Sequence, residues 1–280
     1  MLPCNIPEEK EEKQDHLVKH KNTTWTGILK HTFLWFTSSI QKVVYINPKC
    51  RRDSSLTIYC IHGTGDRPGV LSLLADRLIS DDLPGNISKI HLMSFDNRAQ
   101  GESIESFTDQ LAAKIQTRND KNVILIGHSR GGLIATYFAE NCAKKMNITV
   151  HSVIAICTPF GGTDKAAPPW TWFSKSIAEM EKNSEFLNTL SAKVRQSTMP
   201  YRYFSAGNDE VVKGNSVCIP EHRDHLIELD GHNHASILTS NRLASHIRDY
   251  LKSLTPRLEL VESQTIDHNG TNPDSRLNIR

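Results

Sequence analysis

Val123-Ile-Leu-Ile126-Gly127-His128-Ser129-Arg130-Gly131-Gly132 is the stretch whose reading decides the fold. Four consecutive apolar residues, Val123 to Ile126, leave no polar face, as expected of a short strand buried on both sides. Helical spacing follows over Gly132–Lys144, and between the two lies Gly127-His-Ser129-Arg-Gly131, a G-x-S-x-G string. Such strings are common, but strand, sharp turn and helix form the setting in which a serine is lifted clear of a sheet. Flanking side chains would collide in so tight a turn, and glycines at 127 and 131 relieve that crowding. The setting matters chemically. A serine hydroxyl is a poor nucleophile until a base takes its proton, and the following helix aims its N-terminus at the reacting oxygen. Ser129 is therefore the candidate nucleophile, with a purely structural turn as the alternative.

Working outward, strand-like and helix-like segments alternate. Leu56–Ile61, Ile87–Met93, Val150–Ile156, Tyr201–Ser205 and His225–Leu229 read as strands. Val70–Ile79, Glu102–Gln116 and Ala235–Leu251 read as helices from apolar residues three to four apart. Apolar strands alternating with amphipathic helices imply a doubly wound, mostly parallel α/β sheet covered on both faces. Residues 159–200, with Pro168-Pro169, Trp170, Trp172 and Phe173, break the rhythm and read either as a small lid-like insertion or as a loop with a connecting helix. The expected organisation is a flexible arm over 1–24, the α/β domain over 25–252 with its lid about 159–200, and a flexible tail over 253–280.

Lys plus Arg number 33 against 31 Asp plus Glu, a net charge of +2 that gives no electrostatic case for a nucleic-acid partner. The six cysteines lack the spacing of a zinc site, and Cys60 and Cys157 read as buried thiols, in keeping with a reducing compartment. Glu8, Glu9, Glu11 and Glu12 occupy the place where a secretory signal needs apolar residues, and no stretch is long enough to span a membrane, so a cytoplasmic location is expected. Trp25, Ile28, Leu29, Phe33, Trp35 and Phe36 read as a helical face packed on the domain, with peripheral membrane contact as the other reading.

Directly after the strand Leu56–Ile61 comes His62-Gly63-Thr64-Gly65-Asp66. A tetrahedral oxyanion needs two N–H donors already in place. The backbone of Arg130, just after the nucleophile, is one candidate, and that of Thr64, on the glycine-rich loop, is the other.

HGTGD, then GHSRGG, then an acid and a late histidine together resemble the α/β-hydrolase fold, particularly its lipases and esterases. Asp96–Ser103, Thr158–Thr163 and Asn183–Leu187 resemble further segments of those enzymes and of GPI inositol-deacylase-like proteins, and the resemblance covers about residues 54–252. It implies a Ser-acid-His order. The acid is then Asp209, after the strand Tyr201–Ser205, with Glu210 as fallback. The base is His234, with His232 as competitor, and His222 and His225 are surface residues. The implied function is hydrolysis of small-molecule or lipid carboxylic esters through a Ser129–His234–Asp209 triad and an acyl-enzyme, with Thr64 and Arg130 as the oxyanion hole and no metal or organic cofactor. A thioesterase, phospholipase or acyltransferase would use the same residues. A catalytically inactive hydrolase-fold binding protein is the alternative of another class. Lipases often carry Met, Gln or Leu at the Arg130 position, so this side chain is expected to make the pocket mouth more cationic. Oligomeric state is not indicated.

Overall fold

The computed structural model describes residues 24–51, 56–80, 82–96 and 101–254. The arm expected over 1–24 and the tail expected over 253–280 lie almost wholly outside them. Residues 253 and 254 complete the last helix, and residue 24 begins the first.

Seven strands form one sheet: β1 (Val44–Ile46), β2 (Leu56–Ile61), β3 (Ile87–Leu92), β4 (Asn122–His128), β5 (Thr149–Ile156), β6 (Tyr201–Ala206) and β7 (Leu226–Leu229). Their order is β1-β3-β2-β4-β5-β6-β7, and all pairings are parallel except that of β1 with β3. This is the doubly wound, mostly parallel α/β arrangement of the α/β-hydrolase fold. The helices are α1 (24–36), α2 (Ser72–Ser80), α3 (Ile104–Thr117), α4 (Arg130–Tyr137), α5 (Trp170–Phe173), α6 (Lys175–Ala178), α7 (Glu185–Gln196) and α8 (241–254).

Alternation along the central strands builds two cores. Tyr59, Ile61, Val123, Leu125, Val153 and Tyr203 meet α3, α4 and α7 on one face. Ile58, Cys60, Ile124, Ile126, Ile154 and Phe204 meet α2 and α8 on the other. Each fully buried Leu or Ile contributes roughly 2 kcal/mol of transfer free energy, so strands apolar on both faces are fixed in the middle of the sandwich. The chain runs from β2 outward to β3 and then crosses back to β4 on the other side of β2. That reversal leaves a crevice between the carboxyl ends of β2 and β4, where open α/β sheets place their ligands. The ends of these two strands carry Ile61–Gly63 and Gly127–Ser129.

Three sequence expectations change. The helix expected over Gly132–Lys144 begins at Arg130 and is regular only to Tyr137; a π-helical turn over Phe138–Cys142 and a 3-10 turn over Lys144–Met146 finish it. The helix expected over Ala235–Leu251 is a 3-10 turn, Ser236–Thr239, followed by α8. In α1 the aromatic residues do not all pack on the domain: Trp35 and Ile28 are half-buried, while Trp25, Leu29, Phe33 and Phe36 face outward. Among the described residues no helix is long and apolar enough to cross a membrane.

Candidate active site

Ser129 sits between β4 and α4 at φ 54° and ψ −126°, a conformation strained for any residue with a Cβ. It persists because its surroundings fix it: the Ser129 N–H donates to Ile156 O at 2.8 Å, and the Gly132 N–H donates to Ser129 O at 3.0 Å. Gly131 packs directly against backbone. A Cβ there would stand 2.2 Å from Ile61 O and 2.7 Å from His62 O, the backbone of the neighbouring loop. Gly131→Ala is expected to destabilise the protein by about 2 kcal/mol through overpacking and to part the serine turn from that loop; chemical denaturation with an unchanged midpoint would refute this.

Three side chains from three loops converge. His234 Nε2 lies 2.9 Å from Ser129 Oγ, and His234 Nδ1 lies 2.8 Å from Asp209 Oδ2. The other Asp209 oxygen accepts the N–H groups of Val211 and Val212, both at 2.8 Å. Burial pushes the Asp209 carboxyl upward, but the His234 hydrogen bond and charge, with these two N–H donors, hold it below its ordinary value. It is therefore ionised at neutral pH. The two loops are also joined directly, by the Asn208 N–H donating to His232 O at 2.9 Å. Asn233 and Ser236 exchange two 2.9 Å bonds that brace the turn carrying His234.

The competitors fall elsewhere. Glu210 is exposed and accepts from Asn233 Nδ2 at 3.3 Å. His232 is buried, not the solvated loop residue expected of the losing histidine. His222 is only half-exposed and bonds the Tyr203 hydroxyl at 2.8 Å, whereas His225 is exposed.

Gly63 packs against the serine turn, where an added Cβ would stand 3.0 Å from Ser129 Cβ. Thr64 and Arg130 line one cavity of about 450 Å³, with Trp35, Trp170, Phe173 and Ile177 among its other walls. The Arg130 side chain departs from expectation. It is only 1 % exposed and makes no cationic rim. Its guanidinium lies 4.2 Å over the Phe107 ring and donates from Nη1 to Ser176 Oγ at 3.0 Å, and burial pulls its pKa down to about 10. A residue's place beside the nucleophile fixes its backbone but not the course of a long side chain.

A second constellation escaped the sequence reading. Asp66 stands 3.4 Å from His31 Nε2 and 3.7 Å from His128 Nδ1. The Nε2 of His128 faces His234 O at 2.9 Å and must carry its proton to donate there. The two rings lie 4.8 Å apart, so His128 buttresses His234 from behind. Burial raises the Asp66 carboxyl, yet the proximity of His128 and His31 prevails and holds it far below the usual carboxylate range. A depressed carboxyl contributes stability above its unfolded value of about 3.9 and loses it as pH falls toward the folded value. Asp66→Asn is thus expected to lower the unfolding temperature most at neutral pH and to flatten its decline below about pH 4. Parallel acid limbs in wild type and variant would refute that. The only sequence hint was the Asp closing HGTGD, because the partners come from α1 and from the residue before Ser129.

Among the described residues the one cluster of metal-ligand type is Cys157, Asp209 and His234, with ligand atoms within 4.8 Å of one another. Its histidine already bridges Asp209 and Ser129, and burial, then the neighbouring Asp209, hold the Cys157 thiol well above its ordinary pKa and protonated. A protonated thiol is a poor metal ligand.

The family model described as lecithin:cholesterol acyltransferase matches residues 86–242, more than half of the chain. A search of curated protein sequences finds no match. Among solved structures, a lipase from Bacillus licheniformis is 14% identical with a TM-score of 0.53, over 74% of this chain and 97% of its own. A monoacylglycerol lipase from Paleococcus ferrophilus is 13% identical with a TM-score of 0.52, over 71% and 94%. The esterase domain of a Rhodothermus marinus protein is 15% identical with a TM-score of 0.52, over 76% and 91%. At these identities the likeness is one of fold.

Proposed function

Because the chain belongs to the lecithin:cholesterol acyltransferase family, within the α/β-hydrolases, we propose that it cleaves carboxylic esters through an acyl-serine intermediate. The observation that carries this reading is the unbroken chain of short contacts from Ser129 Oγ through His234 to Asp209. His234 takes the Ser129 proton as Oγ attacks the ester carbonyl, and Asp209 stabilises the imidazolium that results. The N–H groups of Thr64 and Arg130 receive the oxyanion. His234 then protonates the departing alcohol, and water attacks the acyl-serine by the same steps in reverse.

The family match favours a second acceptor, because an alcohol in place of water would turn hydrolysis into acyl transfer. A thiol ester or a phospholipid ester would meet the same groups. The test is a panel of p-nitrophenyl esters of graded acyl length, with and without an added alcohol, run beside labelling by a fluorophosphonate. Turnover with labelling at Ser129 is expected. Folded wild-type protein that neither turns over an ester nor labels would sink the enzyme reading in favour of an inactive binding protein.

A further inference from the structure

Helix α1 precedes the segment matched by the family and supplies no group to the chemistry above, yet both of its faces are specialised. Amphipathic helices of globular proteins ordinarily turn their apolar stripe inward. Here the inward side carries polar anchors. Thr24 Oγ1 donates to Gly231 O at 2.9 Å, His31 meets Asp66, and Trp35 Nε1 donates to Gly65 O at 2.9 Å. Only a glycine at 27 allows the helix so close to the histidine loop, because a Cβ there would stand 2.5 Å from Ser236 Cβ. The stripe of Trp25, Leu29, Phe33 and Phe36 is left to solvent, each at least 65% exposed. Across the cavity, α5 raises Trp170, Trp172 and Phe173 into solvent in the same way. Trp35, Trp170 and Phe173 line that one cavity together with Thr64 and Arg130, so the exposed aromatic residues of α1 and α5 flank the cavity walled by the residue next to Ser129.

Two observations say what covers this face. First, residues 1–23 and 255–280 contain no Trp, Tyr or Phe to stack on it. Second, residues 16–52 hold seven Lys or Arg and no Asp or Glu, and Lys30, Lys42 and, beside α5, Lys175 are exposed. A second copy meeting this face about a twofold axis would set these cations against their equivalents. Tryptophan and phenylalanine ringed by lysine match the boundary between the acyl chains and anionic headgroups of a bilayer.

We propose that α1 and α5 form a docking face for a lipid surface bearing anionic headgroups. The docked cavity mouth then faces the surface from which an ester substrate would enter, while the inner face of the same helix holds the loop that bears Thr64. Docking itself requires no chemistry, so the proposal stands or falls apart from the hydrolase reading. The test uses the full chain carrying Ser129→Ala, floated with vesicles of phosphatidylglycerol and phosphatidylcholine or of phosphatidylcholine alone. The protein is expected to float with the mixed vesicles and to partition about tenfold more weakly to the neutral ones. Adding Leu29→Ser with Phe33→Ser is expected to lower partition at least about tenfold, with an unchanged thermal midpoint because both residues are exposed. Trp170→Ser with Trp172→Ser should act in the same direction. Failure of the starting protein to float with the mixed vesicles, or equal flotation of the substituted forms, would overturn the proposal. So would a dimer in sedimentation velocity that Leu29→Ser with Phe33→Ser dissolves, which would assign the face to self-association.

Discussion

Ser129→Ala is expected to lower kcat/KM for a p-nitrophenyl ester by at least about 10⁴-fold and to abolish fluorophosphonate labelling. The substitution removes one oxygen from a side chain whose neighbourhood is otherwise intact. Alanine can hold the strained backbone no better and no worse than serine, because both carry a Cβ, so the thermal midpoint should move little. What is lost is the hydroxyl that stands 2.9 Å from His234 Nε2. Residual activity should come from the oxyanion donors and substrate binding alone, with His234 able at most to activate water. A drop of less than about tenfold would mean that another group attacks the ester.

His234→Ala should produce a loss of similar size, at least about 10⁴-fold in kcat, and it decides between the two histidines of the DGHNH loop. Without the imidazole the Ser129 hydroxyl keeps its proton, and the leaving alcohol has no acid to protonate it. Asp209 is then left ionised without a cationic partner, its two backbone donors still in place. His232→Ala is expected to change kcat by no more than about threefold, because the buried His232 lines a different pocket, with Gly27 and Arg77, and accepts the Asn208 N–H through its backbone carbonyl. The reverse ranking, with His232→Ala inactive and His234→Ala active, would contradict the geometry outright.

These groups are legible in the sequence as candidates because each follows a strand that announces itself. The Leu56–Ile61 strand has the same bounds in sequence and structure, since six buried residues leave nothing to choose between faces. Asp209 and His234 follow the last two strands, β6 and β7, and the loops that bear them are short. Strand β1 was not legible: it has three residues, two of them exposed, and exists by pairing with β3 at the sheet edge. Nor were His31 and Trp35 as neighbours of the His62–Asp66 loop, or the buried course of Arg130. Their partners are set by where α1 and the 159–200 segment come to rest, a tertiary fact with no local periodicity behind it. The outward-facing stripe of α1 misled for the same reason. Amphipathic spacing tells which residues share a face but not which face meets the protein.

The bond from Thr24 to Gly231 joins positions 207 residues apart. At ribosomal rates of about 5–20 residues per second, the first of these emerges roughly 10–40 s before the second. Through that interval the inner face of α1 lacks the histidine loop it will clasp, while Trp25, Leu29, Phe33 and Phe36 are already present. Nascent chains therefore carry a sticky amphipathic segment ahead of a completed reaction centre, and closing so distant a contact belongs to the slow, late part of assembly. A truncated product ending before β7 would retain the aromatic stripe but lack both His234 and the loop that helps seat the helix. For this chain, translation to the end is what separates the assembled Ser129–His234–Asp209 cluster from an aggregation-prone fragment.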